Sequence, residues 1–416
     1  MTELFRADRT GGLIVYGVVA ILLAKAVFGY SDALETLAAG NTDDIVRLVS
    51  VRALLDGQPW YDMTLYRALP PEGVSLHWSR LLDAAIAVLG APVRLVFGAE
   101  AAERFVLVAW PTLLFLALIV VTWRGVRDIL GPMAGRLAVL TLYFWSVIES
   151  TYFDIARIDH HNVQILLSTI VFFAAISSGP ARRRGLTAGL ATALSLAVGL
   201  EALVLLAALG IIVAVRGVCG DGALRWYAAS LPLAALALFA VQVAPSDWAT
   251  AYCDALAPPV LSLLSLAALA AFASLALPAG PVQRLALAAA VVAAGLVALA
   301  PYVGHCLAGP YGLMDADLQQ LIASQIAETR SAVTAFGTNP AATLSTFVPV
   351  VGGLVLTALA YRRDRRQPRE TLCALALGLF TLPLAIVQLR QLVLVAPILP
   401  FLIARGLTPL VERVTS

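Results

Sequence analysis

Charged residues are scarce in this sequence. Asp, Glu, Lys and Arg make up 13% of its 416 residues, and Lys25 is the single lysine. An average soluble domain carries about 25% charged residues, so this chain cannot cover a water-exposed surface of ordinary polarity. The shortage excludes a soluble globular enzyme and a disordered protein. The net charge of +2 gives no indication of nucleic-acid binding.

Cysteine is scarce as well. The four cysteines are Cys219, Cys253, Cys306 and Cys373, and no two of them form a Cys-x-x-Cys pair. This pattern excludes a disulfide-rich secreted scaffold and gives no metal-binding signature. We therefore expect four lone thiols in apolar helices.

Apolar residues, by contrast, are abundant. They make up 60% of the chain, and the mean hydropathy is +0.88. A membrane-spanning helix needs about 20 mostly apolar residues, and the sequence predicts an all-α polytopic membrane protein with about 12 transmembrane helices. Arginine clusters between the spans predict that both termini are cytoplasmic. The predicted spans are 11–29, 101–122, 134–150, 162–179, 186–200, 201–215, 226–244, 259–278, 284–300, 344–361, 371–388 and 390–408.

Two of these spans come from one apolar stretch, 186–215. Gly199 and Glu201 interrupt it, and a single helix there would place the arginines on its two sides in different compartments. The sequence therefore predicts two short helices rather than one long helix.

This topology leaves two long polar segments on the outer side of the membrane, within a single transmembrane domain at 1–416. The first outer loop covers 31–97. Its apolar stretch 84–97 is too short to span a bilayer and predicts an interfacial helix. The late outer loop covers 301–343.

The first outer loop begins with adjacent carboxylates, Asp43 and Asp44. Arg47, Arg52 and Gly57 follow at helix-like spacing. Paired carboxylates at the exit of a span suit a divalent cation, which prefers oxygen ligands. The alternative is that Asp43 only caps a helix over 45–55.

A second polar cluster opens the fourth span with Asp159, His160 and His161. If the chain is extended there, Asp159 and His161 share a face, because alternate residues of an extended chain point the same way. A carboxylate with a neutral imidazole suits Mn²⁺ better than Ca²⁺. The alternative is a capped helix start with polar residues among the lipid headgroups.

Three further groups are candidates for binding roles. Glu328 lies in the late outer loop, where on its own it is an ordinary loop glutamate. Arg390 lies at the outer mouth of the last span, where it could bind a lipid phosphate with two hydrogen bonds or extend into ordinary headgroups. The last group could line a substrate groove or anchor the chain at the interface, and comprises His77, Arg80, Arg157 and His160.

The order of these features resembles a known family. An acidic residue after the first span is followed by a helix with Arg52 and Gly57, an Asp-x-His pair opens the fourth span, and a late-loop Glu and an Arg near the last helix complete the set. This resembles the transmembrane core of the catalytic subunit of bacterial and archaeal oligosaccharyltransferase, of the GT-C superfamily of glycosyltransferases. The Asp159–His161 segment is similar to the archaeal form of its second motif, and Gln325–Glu328 is similar to its "SVSE"-type segment.

The resemblance implies a metal-dependent, inverting transfer from a polyprenyl-(di)phosphate sugar to a glycan, lipid or protein acceptor. The implied cofactor is Mn²⁺ or Mg²⁺, and the register favours Asp43 over Asp44. It further implies that Arg390 binds the lipid phosphate, and that the site faces the periplasm of a bacterial inner membrane. The implied metal ligands are Asp43, Asp159, His161 and Glu328, and the implied catalytic residues are Asp43, Asp44, Asp159 and Glu328.

The chain departs from the protein-glycosylating members, which carry a soluble C-terminal domain with a WWD motif. We expect neither in this chain, so glycosylation of Asn-x-Ser/Thr sequons is not expected. One alternative is a GT-C enzyme that moves a single sugar onto a lipid or cell-wall glycan. The other is a lipid-linked glycan flippase or transporter, which would place charges at mid-bilayer depth. Span interiors hold few charges apart from Lys25 and Glu201, and this favours the enzyme.

Overall fold

The computed structural model describes residues 9–76, 78–145, 150–308, 315, 317, 330–365 and 367–415. These residues form an almost entirely α-helical chain, with one two-stranded antiparallel hairpin that pairs Thr64 with Ser75. The helices are α1 (Arg9–Phe28), α2 (Ala33–Ala38), α3 (Thr42–Leu55), α4 (Arg80–Phe97), α5 (Ala99–Leu130), α6 (Pro132–Phe144), α7 (His161–Ile176), α8 (Ala181–Val198), α9 (Leu203–Val218), α10 (Ala223–Gln242), α11 (Pro258–Ala276), α12 (Pro281–Val303), α13 (Ala332–Thr338), α14 (Pro340–Arg363), α15 (Pro368–Val387) and α16 (Leu399–Thr415), and the strands are β1 (Thr64–Leu65) and β2 (Val74–Ser75).

Within the described residues, six helices are long and apolar enough to cross a membrane: α5, α10, α11, α12, α14 and α15. Shorter apolar helices cover Val15–Phe28, α7 and α9. The prediction of an all-α polytopic membrane protein is confirmed, and the count of about 12 spans stays a prediction. The division of 186–215 into two helices is also confirmed, because α8 ends at Val198 and α9 begins at Leu203.

The last predicted span, 390–408, differs from the structure. Residues Leu389–Leu394 form a 3₁₀ helix, and α16 begins only at Leu399. Pro397 explains the break, because its nitrogen has no hydrogen to donate to an α-helical hydrogen bond. Arg390 therefore lies on a short 3₁₀ segment and not on the last helix.

The described residues form two compact units. The first unit contains Met1–Thr169, Ala341–Leu379 and Val395–Ser416. In it, α16 packs against α6 and α4 packs against α5. The hydroxyl of Thr357 on α14 donates to the carbonyl of Leu402 on α16 at 2.5 Å, so these two helices are joined by a buried hydrogen bond as well as by apolar packing.

The second unit contains Ile170–Pro340 and Phe380–Leu394, and α8 packs closely against α10 in it. Two glycines one turn apart make this approach possible. A Cβ atom on Gly185 would lie 2.3 Å from the carbonyl oxygen of Ala223, and one on Gly189 would lie 2.1 Å from the hydroxyl of Ser230. Small residues at this spacing are typical of close helix pairs in membranes.

The second unit also contains a disulfide bond that the sequence did not predict. Cys253 and Cys306 are bonded, with their Cα atoms 5.2 Å apart. The expectation of four lone thiols was therefore wrong for these two residues, while Cys219 and Cys373 are not disulfide-bonded. The bond connects the segment before α11 to the 3₁₀ helix Gly304–Ala308. Disulfides persist in oxidising compartments, and the predicted topology places both segments on the outer side.

Removing this disulfide should lower the stability of the chain. We expect the double variant Cys253→Ser/Cys306→Ser to lose about 2–5 kcal/mol, the usual effect of losing a native disulfide. The thermal unfolding midpoint of purified protein in detergent would measure the loss. The matched control is Cys219→Ser, which should keep the wild-type midpoint. An unchanged midpoint in the double variant would contradict a stabilising disulfide.

Candidate active site

The first acidic pair lies at the start of α3. The helix begins at Thr42, and its N-cap is Asn41, whose side-chain oxygen accepts a hydrogen bond from the backbone N–H of Asp43 at 3.1 Å. Asn41 is therefore the capping residue, and the alternative in which Asp43 caps the helix was wrong. The two aspartates have different environments: Asp44 is 1% exposed, and Asp43 is half-buried.

Asp44 binds the segment that precedes α7. Its Oδ1 accepts hydrogen bonds from the backbone N–H groups of Ile158 and Asp159, both at 2.8 Å. Its Oδ2 accepts from Nη1 of Arg157 at 2.6 Å. The start of α3 and the segment Arg157–Asp159 thus contact each other through Asp44, whereas the sequence register favoured Asp43. Arg157, a predicted groove residue, is held in this contact.

Asp159 lies at the centre of the second motif and is buried. One of its carboxylate oxygens is 2.5 Å from Nδ1 of His160, and the other is 2.6 Å from Nδ1 of His161. The two imidazole rings stack with their centroids 4.3 Å apart. His161 is the first residue of α7. The structure therefore brings Asp159 and His161 together, and it adds His160 to the same cluster.

The two buried carboxylates have opposite pKa shifts. Burial raises the pKa of Asp44 to about 6; Arg157 opposes this rise, and the neighbouring Asp159 carboxylate adds to it. Burial would also raise the pKa of Asp159, but His160 and His161 hold it well below its usual range through their charge and hydrogen bonds. The Asp159 carboxyl therefore ionises at a lower pH than the Asp44 carboxyl.

The donor atoms in this cluster suit a divalent metal ion. Asp159, His160 and His161 each offer one ligand atom, and these atoms all lie within 4.8 Å of one another. Carboxylate oxygen and imidazole nitrogen together suit Mn²⁺ or Zn²⁺. The Nδ1 atoms of His160 and His161 both face the Asp159 carboxylate, so a bound cation would take the place of the protons in these contacts.

A buried group of charges adjoins the cluster. Arg47, three residues after Asp44 on α3, is fully buried and donates to Asp83 at 2.7 Å. Its guanidinium lies 4.6 Å from the ring centroid of Trp78, and Trp78 lies 6.2 Å from the ring of His160. Arg47 and Trp78 thus connect the Asp83 carboxylate to His160 through a continuous row of side chains.

Asp83 also pairs with Arg80, at 3.3 Å, and the side chains of both are at most 1% exposed. Replacing Asp83 by asparagine would leave two buried arginines without a countercharge. We expect Asp83→Asn to lower the free energy of unfolding by about 3–5 kcal/mol, the usual result of removing one partner from a buried ion pair. Chemical unfolding in detergent would measure it.

The matched control for this substitution is Asp128→Asn. Asp128 pairs with Arg127 at 2.7 Å on the surface, and its side chain is 62% exposed. Such exposed pairs contribute about 0–1 kcal/mol. Equal losses in Asp83→Asn and Asp128→Asn would show that the buried pair has no special role in stability.

Of the remaining predicted site residues, Arg390 lies within the described part of the chain, and His77 and Glu328 do not. Arg390 is half-buried in the second unit, and the backbone N–H of its neighbour Leu389 donates to the carbonyl of Arg330 at 3.0 Å. Its role in binding lipid phosphate stays a prediction. His77 and Glu328 lie outside the described residues, and so does the whole Gln325–Glu328 segment.

Comparison with known proteins places this fold. No protein-family model and no curated protein matches the chain. Solved structures of oligosaccharyltransferase from Archaeoglobus fulgidus do match it. The AglB enzyme in complex with an inhibitory peptide and a dolichol-phosphate is 15% identical, with a TM-score of 0.62, over 94% of this chain and 50% of that chain.

The second structure is tethered to an acceptor peptide that contains the NVT sequon. It is 12% identical, with a TM-score of 0.59, over 99% of this chain and 51% of its own. The third is a complex with Zn and sulfate. It is 14% identical, with a TM-score of 0.53, over 90% of this chain and 46% of its own.

These matches show that the chain shares the fold of these oligosaccharyltransferase structures. The matching structures described above are of an archaeal oligosaccharyltransferase. The resemblance to this family that the sequence predicted is therefore confirmed at the level of the fold. The chain spans about half the length of these structures.

Proposed function

We propose that this chain is a membrane glycosyltransferase of the GT-C type. It transfers a sugar or oligosaccharide from a polyprenyl-phosphate or polyprenyl-diphosphate donor to an acceptor on the outer, periplasmic side of a bacterial inner membrane. The observation that carries the proposal is the buried contact of Asp44 with the Arg157–Asp159 segment, next to His161, in a chain with the oligosaccharyltransferase fold. One structural neighbour binds a dolichol-phosphate, which is a lipid of the proposed donor class.

The reaction is a displacement at the anomeric carbon of the donor sugar. A nucleophile of the acceptor forms a bond to this carbon and gives up its proton to a carboxylate of the site, and the bond from carbon to the phosphate oxygen breaks. Attack from the face opposite the leaving group inverts the configuration. Negative charge accumulates on the departing phosphate, so groups that neutralise this charge lower the barrier.

A divalent metal ion, when bound, would supply this neutralising charge. Asp159 and His161 would hold it. Asp44 fixes the backbone of Ile158 and Asp159 through two hydrogen bonds and so holds the Asp159 carboxylate in place. Mn²⁺ suits this mixed set better than Mg²⁺, which prefers oxygen ligands. One structural neighbour was obtained with Zn, which has similar ligand preferences.

Two other residues enter the proposal through the resemblance. Glu328, in the late outer loop, would add a carboxylate to the metal site, and Arg390 would bind the lipid phosphate. The Cys253–Cys306 disulfide supports an outer, oxidising location for the segments around it. Cys306 itself lies within the late outer loop, 301–343.

The test is release of polyprenyl phosphate or diphosphate from a pool of lipid-linked sugars by the purified protein. We expect release with Mn²⁺, loss of release with EDTA, and recovery when Mn²⁺ is restored. The lipid product identifies the donor by its number of phosphates. If folded protein releases neither lipid from any donor, the glycosyltransferase proposal fails and transport of lipid-linked glycans becomes the better explanation.

A further inference from the structure

The first outer loop contains a cavity that the proposed chemistry does not use. Its volume is about 390 Å³, within the range of about 300–1,000 Å³ of small-molecule sites. One wall is the middle of α3, and the other is the segment 58–67. Neither Asp44 nor Asp159 lines it. The polar residues that line it include Ser50, Asp56, Asp62, Tyr66, Arg67 and Arg80.

The second wall is preformed. Arg80 is 1% exposed, and its guanidinium donates to the carbonyl oxygens of Trp60 and Asp62. The side chain of Gln58 donates to the carbonyl of Thr64 at 2.9 Å. These bonds fix the segment in its folded shape. A ligand that enters therefore needs little rearrangement of the wall, and preorganisation of this kind favours binding.

The charges around the cavity cancel. Asp56 and Asp62 oppose Arg67 and Arg80, so the site favours an uncharged ligand over a phosphate or a metal ion. Asp62 is already engaged, because its carboxylate accepts hydrogen bonds from Thr64 N–H and from the Tyr66 hydroxyl.

Two polar groups at the cavity remain available within the part of the chain that the structure describes. The Ser50 hydroxyl and the Arg67 guanidinium form no hydrogen bond or ion pair with the described residues. Asp56 accepts a long hydrogen bond, of 3.4 Å, from Arg94, and its side chain is 70% exposed. The cavity therefore offers both donors and acceptors to a ligand.

Apolar groups lie between these polar ones. Pro59, Met63, Leu65 and the exposed ring of Tyr66 line the same space. A neutral pyranose matches this mixture, because its C–H face is apolar and each of its hydroxyls both donates and accepts hydrogen bonds. We propose that the cavity binds a neutral sugar unit of the donor or acceptor glycan; this rests on the proposed glycosyltransferase function.

The position of the cavity fits this role. Ser50 follows Asp44 by six residues on α3, which corresponds to about 9 Å along the helix axis at 1.5 Å per residue. A sugar in the cavity would therefore lie beside the reacting bond and not at it. Its contacts would contribute binding and the choice of glycan, and would leave the chemical step to Asp159 and its neighbours.

The test uses saturation-transfer NMR on the purified protein in detergent. The probes are the methyl glycosides of glucose, galactose, mannose and N-acetylglucosamine. We expect saturation transfer to at least one probe with the wild type. Tyr66→Ala and Arg67→Ala should each weaken binding about tenfold, the effect of losing a contact to a charged or aromatic group. The matched control is Tyr61→Ala: Tyr61 is 44% exposed and does not line the cavity.

Two results would overturn the proposal: no saturation transfer to any probe, or equal transfer in Tyr66→Ala, Arg67→Ala and the wild type. In the turnover assay, a higher KM of Tyr66→Ala for the lipid-linked donor would assign the cavity to the donor sugar, and a higher KM for the acceptor would assign it to the acceptor sugar. Asp159→Ala separates the two proposals, because it should keep sugar binding while turnover is lost. Sugar binding by a wild type that turns over no donor would contradict only the proposed function.

Discussion

Replacing Asp159 by alanine should abolish sugar transfer while the chain stays folded in the membrane. Asp159 is buried, and its two carboxylate oxygens orient His160 and His161. Its loss removes a proposed metal ligand and frees both imidazoles at once. Removal of a single group that stabilises charge in a transition state commonly lowers the rate by about 100- to 1,000-fold. For Asp159→Ala we expect a loss of rate at the upper end of this range. The rate of polyprenyl (di)phosphate release measures it.

Asp154→Ala is the control for this substitution. Asp154 lies five residues earlier and pairs with Lys25 at 2.8 Å, with a side chain that is 39% exposed. It should retain activity close to the wild type. Size-exclusion profiles and unfolding midpoints of both variants separate lost chemistry from lost folding. Substantial activity in a folded Asp159→Ala protein would contradict the proposed metal site.

The second large effect distinguishes the two adjacent aspartates of α3. We expect Asp44→Asn to lower kcat/KM about 100-fold, comparable to the loss of a group that orients metal ligands. An amide in place of the carboxylate removes the charge that pairs with Arg157 and weakens the hydrogen bonds to Ile158 and Asp159. Titration of Mn²⁺ against activity should show a weaker metal affinity in the same variant.

Asp43→Asn is the matched substitution one residue away. Asp43 is half-buried, and its backbone N–H, which binds Asn41, is unchanged by the substitution. We expect Asp43→Asn to keep most of the wild-type kcat/KM. The reverse result, with Asp43→Asn strongly impaired and Asp44→Asn active, would favour the assignment that the sequence register suggested.

The choice between these aspartates shows where sequence reasoning stops. The sequence predicted that a carboxylate at the start of this helix contributes to the site, and its register favoured Asp43 over Asp44. Adjacent residues on an α-helix point about 100° apart, because the helix has 3.6 residues per turn. Which of the two aspartates faces the Arg157–Asp159 segment depends on how α3 is rotated about its axis relative to that segment. The local sequence does not indicate this rotation.

Longer-range contacts were less predictable still. Arg47 and Asp83 are 36 residues apart, and Cys253 and Cys306 are 53 residues apart. The first pair is separated by the loop and hairpin between α3 and α4, and the second pair by helices α11 and α12. No periodicity or spacing in the sequence indicates either partner. The i,i+3 spacing of Arg80 and Asp83 was the one local signal of the buried ion cluster.

The sequence by itself determined the class of the protein. The scarcity of charge and the long apolar stretches specify membrane helices, because hydropathy acts on each segment of about 20 residues independently of the rest. The Asp159–His161 motif could likewise be recognised from the sequence, because its residues are adjacent. Only the tertiary structure decided that Asp44 faces this motif and that Cys253 bonds Cys306. It alone also showed that Arg80 holds one wall of a cavity beside α3 through hydrogen bonds. Each of these depends on the path of the chain between distant residues, and contacts of that kind are set by packing rather than by local composition.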